Sequence, residues 1–186
     1  MDNKLKELIE KFAISWEKIC SDERDALLKI WDNKSEYTSK ILYGNDSIVK
    51  KIAKDFSLEC YSECRAGYYG IDAVFYEEKY KIENFSGVWL RKIKISLEHE
   101  NDSSYLFQET SRLLTSNAEL KVLISYTNLE NNKSKNKLLC DLAKYLEETE
   151  DNILLILGHK NKNDGFVWEK YILNENGKYD IVKIPS

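Results

Sequence analysis

Apolar residues in this chain recur with two different periods, and the point where the period changes constrains the fold more than any other feature. Leu5, Leu8, Ile9, Phe12, Trp16, Ile19 and Cys20 fall at three- and four-residue steps, the stripe of an amphipathic helix. Ser21 and Asp22 are predicted to cap a second helix carrying Ala26, Leu27, Ile30 and Trp31, which Asp32, Asn33 and Lys34 end. A short helix is expected over 35–42, a turn at 43–46, and a helix capped by Ser47 that carries Ile48, Ile52, Ala53 and Phe56. From Tyr69 the period becomes two. Tyr69, Ile71, Ala73 and Phe75 share one face of a strand, with Gly70, Asp72 and Val74 on the other. A hairpin turning within 77–87 leads to a long strand over 88–100. There Ile93, Ile95 and Leu97 face one way and Lys94, Ser96, Glu98 and Glu100 the other.

Beyond it the pattern predicts a helix over 105–116, a doubly covered strand at 120–126, a helix over 135–148 and a buried strand at 153–157. Two closing strands at 165–173 and 178–184 would pair through the turn at 174–177. The order helix, hairpin, helix, strand, helix, strand predicts an α/β (α+β) fold, a mixed central sheet flanked by helices. At 186 residues, with a single proline and seven glycines, the chain reads as one domain. Its parts are a helical extension at 1–46, a core at 47–157 and C-terminal strands at 158–186.

The net charge of −4 removes the simplest case for a nucleic-acid partner, a basic whole, but leaves room for a locally basic face. Residues 1–10 are charged at Lys4, Lys6 and Glu7, unlike a secretory leader, and no stretch approaches the roughly 20 apolar residues of a spanning helix. The four cysteines are scattered, so free thiols in a reducing cytoplasm are expected, with no membrane partner. Cys60 and Cys64 could share a helical face, but two distant histidines give them little help as a zinc site. His99 and His159 support no nucleophile–histidine set, and no glycine-rich loop could cradle a nucleoside triphosphate.

The residues that could carry chemistry are acidic. Asp72 lies in a strand, where an unpaired charge is expensive to bury. Glu98 and Glu100, two residues apart on the next strand, project from one face, and hairpin pairing would bring Asp72 beside them. Clustered carboxylates repel unless a cation joins them, and an all-oxygen set suits Mg²⁺. His99, between the glutamates, points to the opposite face and reads as a packed histidine.

At these residues the chain resembles the PD-(D/E)XK nuclease superfamily, the restriction-endonuclease-like fold. Ile71-Asp72-Ala73-Val74 stands for the first part of its motif and Leu97-Glu98-His99-Glu100-Asn101 for the second. The likeness spans roughly 47–157. It implies a Mg²⁺-dependent endonuclease (Mn²⁺ serving as well) that hydrolyses DNA, with RNA the weaker option, and a restriction-type homodimer. It implies Asp72 and Glu98 as metal ligands, Glu100 as ligand or base, and an assisting Glu63 on the preceding helix, four residues after Glu59. Gln108 or Glu109 on the following helix could also face the site. The family's lysine is replaced by Glu100, with Lys94 and Lys121 as candidate substitutes, and the proline ahead of its aspartate is absent. Three short basic clusters, around Lys50, Lys51 and Lys54, Arg91, Lys92 and Lys94, and Lys133, Lys135 and Lys137, could hold phosphates if they met beside the carboxylates. The alternative is a non-catalytic protein-interaction domain on the same scaffold, favoured by the missing lysine and the pI near 5.4.

Overall fold

The structure, a computed structural model, describes residues 1–62, 70–80, 89–126, 132–160 and 165–183. Four helices come first: α1 (Asn3–Asp22), α2 (Arg24–Ile30), α3 (Lys34–Leu42) and α4 (Ile48–Asp55). The α1 stripe is buried through Ile9, Phe12, Trp16, Ile19 and Cys20, and Asp2 caps it by accepting the Leu5 N–H at 2.7 Å. Ser21 and Asp22 do not cap α2; they lie in the last turn of α1. Glu23 holds the cap position without a side-chain cap bond, because its carboxylate is engaged by Lys40 and Lys51. Asn33 caps α3 through the Glu36 N–H, whereas the Ser47 hydroxyl ahead of α4 makes no hydrogen bond.

At the end of α4, Ser57 takes a left-handed conformation (φ 56°) and the Leu58 N–H donates to the Ala53 carbonyl at 2.9 Å. That closure stops the helix and turns the chain into a strand. Glu59 and Cys60 therefore lie in β1 (Glu59–Tyr61), not on a helix, which removes the helical pairings expected with Glu63 and Cys64. Glu63, Cys64, Tyr69 and the hairpin tip at 81–88 lie outside the described residues. The described cysteines, Cys20, Cys60 and Cys140, are free thiols.

The remaining strands are β2 (Ala73–Tyr80), β3 (Trp89–Glu100), β4 (Leu120–Tyr126), β5 (Ile153–Lys160), β6 (Phe166–Asn174) and β7 (Lys178–Ile181). All seven form one sheet in sequential order. The first three strands run as an antiparallel meander, β3, β4 and β5 are parallel, and β5, β6 and β7 are again antiparallel. Parallel neighbours need crossovers, here α5 (Leu106–Leu114) and α6 (Asn132–Tyr145). Two right-handed crossovers in one direction put both helices on one face, leaving the other to α1–α4. The protein is thus mixed α/β, a seven-stranded mixed sheet flanked by helices. The C-terminal strands extend the same sheet as the core.

Burial follows the alternation. Phe75, Ile95, Leu97, Val122, Ile124 and Ile156 pack with Phe12, Trp16, Ile41 and Ile52 under α1–α4. Leu123, Ile153, Leu155 and Leu157 pack with Leu106, Leu113, Leu139 and Leu142 under α5 and α6. Both faces of β4 and β5 are covered, which is why they read as unbroken apolar runs. Gly158 is required by the aromatic side of this core. A Cβ there would lie 2.3 Å from the Trp168 ring, which meets Trp16 edge-on at 5.2 Å. Among the described residues no helix is long and apolar enough to cross a membrane.

Candidate functional site

β2 and β3 pair with Ala73 opposite Leu97, and continuing that register by one residue sets Asp72 opposite Glu98. Asp72 lies immediately ahead of β2, not in mid-strand. Its Oδ2 accepts the backbone N–H of His99 at 2.9 Å, which ties it to the end of β3. Alternation along β3 sends Leu97 toward α1–α4, with His99 beside Tyr37 and Tyr126 on that side. Ser96 and Glu98 point the other way, and Ser96 Oγ meets Ser116 Oγ, just beyond α5, at 2.8 Å.

The buried face of α5 carries Leu106, Glu109, Thr110 and Leu113, so Glu109 looks back at this strand end. Its Oε2 accepts from Arg112 Nη1 at 2.7 Å. Glu98 is fully buried, and its only hydrogen-bonding neighbours among the described residues are the carboxyls of Asp72 and Glu109. Burial first, then the charges of Asp72 and Glu109, raise the Glu98 carboxyl well above the usual range, so it holds its proton at neutral pH. Burial also raises Asp72, against the His99 amide, a hydrogen bond from the protonated Glu98 carboxyl and the Arg112 charge, which favour its ionised form. Glu100 is half-buried and raised by burial, although its Oε1 accepts the Asp102 N–H at 2.7 Å.

The three carboxylates singled out by sequence therefore come together, joined by Glu109 and bordered by Arg112. The sequence reading leaves Glu109 undecided between site and surface and does not single out Arg112. The signal for Glu109 was present: it sits three residues after Leu106 and four before Leu113, on the apolar stripe of its helix. Gln108 is exposed.

Like charges sharing a buried volume are stabilised by a proton or by a cation. Among the described residues no three His, Cys, Asp or Glu side chains already stand as a metal ligand set. Mg²⁺, however, commonly takes one or two carboxylates and completes its shell with water and substrate phosphate. Asp72 and Glu98 fit that demand, since their two carboxyls meet at the end of the strand pair.

The other candidates fall elsewhere. His99 is enclosed, its Nε2 is 2.8 Å from the Tyr126 hydroxyl, and burial pushes its pKa down to about 3; it is a packed neutral imidazole. Lys94 is held by Glu77 and Glu119, and Lys121 by Asp151, so neither takes the place of the missing family lysine. Of the basic clusters, Lys51 is bound by Glu23 and Asp46 and Lys135 by Glu169.

No family model matches the sequence, and no curated protein matches it. Among solved structures the chain is similar to the glutamine-dependent NAD⁺ synthetase of Acinetobacter baumannii, determined in complex with adenosine diphosphate, at 11% identity and a TM-score of 0.41. The alignment covers 92% of this chain and 40% of that one. So distant a likeness carries no argument about fold family or function.

Proposed function

We propose that the protein is a metal-dependent endonuclease that hydrolyses DNA phosphodiester bonds at the Asp72–Glu98–Glu100 cluster. One observation carries this reading: Glu98 is fully buried, and its charged neighbours are the carboxyls of Asp72 and Glu109. Without a metal the cluster is relieved only by the proton on Glu98, and a divalent cation would take that proton's place. The topology is in keeping with the resemblance to PD-(D/E)XK nucleases. An antiparallel meander carries both halves of the motif, and a helix then crosses to a parallel strand.

Asp72 and Glu98 are the residues that would hold Mg²⁺ or Mn²⁺. The bound ion supplies charge stabilisation to a phosphate that becomes more anionic in the transition state. Glu100, half-buried and with a raised pKa, is suited to accept the proton of the attacking water. As the water oxygen bonds to phosphorus, the opposite ester bond breaks and the leaving oxygen takes a proton from solvent. Cutting both strands of a duplex calls for two such centres, hence a homodimer.

The test is incubation of the purified chain with plasmid DNA and Mg²⁺ or Mn²⁺, beside folded Asp72→Ala and Glu98→Gln variants. Metal-dependent cutting by the parent alone supports the reading. No cutting with either ion, and no heat of metal binding in calorimetry, removes it. The second reading, a non-catalytic interaction domain on this scaffold, would then lead. It is favoured by Glu100 standing where the family has lysine and by the engagement of Lys94 and Lys121 elsewhere.

A further inference from the structure

At the C-terminal ends of β3 and β4, on the α1–α4 side of the sheet, a cleft of about 240 Å³ is lined by Trp31, Asp32, Lys34, Tyr37, Asn101 and Tyr126. The sequence reading assigns it nothing. Its aromatic wall is fixed: Trp31 lies edge-on to Tyr37 at 5.2 Å and to Tyr126 at 5.4 Å. Asn101 donates through Nδ2 to Thr38 Oγ1 at 2.7 Å, which orients the amide and leaves Oδ1 as an acceptor. Tyr37 is 2% exposed, and its hydroxyl is directed to that of Tyr126. Asp32 and Lys34 are exposed at the rim.

The cleft and the carboxylates are two faces of one strand end. Asn101 directly follows Glu100. His99 meets the cleft wall through Tyr126 and gives its backbone N–H to Asp72.

We propose that this cleft receives one unstacked nucleobase of a nucleic-acid strand whose backbone passes the carboxylates. The proposal rests on the nuclease reading for the placement of that backbone. The chemistry matches a base: aromatic side chains to stack on, a fixed amide acceptor for its polar edge, and a lysine at the rim for a phosphate. The volume falls just below the roughly 300 Å³ at which pockets for drug-sized ligands begin, so it suits one base rather than a larger ligand. A base stacked inside a duplex cannot enter, so on duplex DNA the cleft takes a base flipped out of the stack, and a single strand fills it without that cost.

The test is fluorescence anisotropy of the full chain with a short labelled single-stranded deoxyoligonucleotide, in EDTA so that no cutting occurs. A strand of the same length with abasic sites is the control. The intact strand is expected to bind about tenfold tighter or more, the scale of one stacked base. Asn101→Ala and Trp31→Ala should collapse that ratio, whereas Lys34→Ala should weaken both strands alike. If Trp31→Ala does not fold by circular dichroism, Asn101→Ala, at a half-buried position, carries the test. Equal affinity for the two strands, a ratio unchanged in Asn101→Ala, or no binding of either strand overturns the proposal. Metal-dependent cutting with equal affinities would remove the base site and leave the nuclease. Base-dependent binding without cutting in Mg²⁺ would do the reverse.

Discussion

The two ends of β3 treat charge in opposite ways. Toward its start, Lys94 lies between Glu77 and Glu119, and on the adjoining strand the nearly enclosed Lys121 meets Asp151. Toward its finish, the wholly enclosed Glu98 is set among carboxyls, and the nearby guanidinium of Arg112 is bound to Glu109. Where a charge serves the fold, the sheet and its helices bring a counter-ion to it. Where carboxyls are gathered so that one must keep its proton, the arrangement is suited to a cation that would displace it.

The comparison is broken most severely at Glu98. Glu98→Gln should lower Mg²⁺-dependent cutting by about 10²–10³-fold, the scale of removing one group that stabilises transition-state charge. The same variant should melt no lower than the metal-free parent. If it cuts as well as the parent, Glu98 is a structural oddity and the contrast loses its functional meaning.

Titration sharpens the contrast next. Asp72, Glu98 and Glu100 all have raised pKa values in the fold. The stability they contribute is therefore complete below the ordinary carboxylate pKa and is lost as pH rises through their folded values. Glu77 and Glu119, lowered chiefly by hydrogen bonds from lysine, behave the other way, and their contribution is lost as pH falls. Relative to Glu98→Gln, the parent should lose up to about 1.4 kcal/mol per pH unit as pH climbs above the ordinary glutamate value, read by denaturant unfolding without metal. Metal affinity, measured by calorimetry, should rise over the same interval, because binding must displace the Glu98 proton. A parent and variant with parallel stability profiles would show that Glu98 is not titrating there.

At the paired end the effects are smaller. Lys121→Met strips Asp151 of its counter-ion and should cost about 1–2 kcal/mol, less than a fully buried pair because Asp151 is 30% exposed. Metal affinity should not move; a tenfold fall would mean that the two ends of the strand are coupled. Lys94→Ala, among more exposed partners, should cost under about 1 kcal/mol and shrink further in high salt.

Much of this was legible in the chain. The switch from helical to alternating period locates the sheet, and the apolar runs at 120–126 and 153–157 mark its doubly covered centre. Asp72 was expected to come alongside Glu98 and Glu100 if the strands paired, and the register, carried one residue past Ala73 and Leu97, sets it opposite Glu98. The misreadings came at boundaries. Nothing local in Phe56-Ser57-Leu58 announces the left-handed closure that ends α4, so Glu59 and Cys60 were expected on a helix. Lys121 looked available because its counter-ion, Asp151, is 30 residues away in the chain.

The sequence by itself determined which side chains share a face: Glu98 and Glu100 on one, His99 on the other. Backbone geometry imposes that alternation on any strand, whatever packs against it. Only the tertiary structure decided which charges would be answered. It brought Asp151 to Lys121, engaged Lys94 with Glu77 and Glu119, and turned Glu109 onto the Glu98 side of β3. The energy of a buried charge depends on partners that arrive from distant segments, and local periodicity carries no record of them.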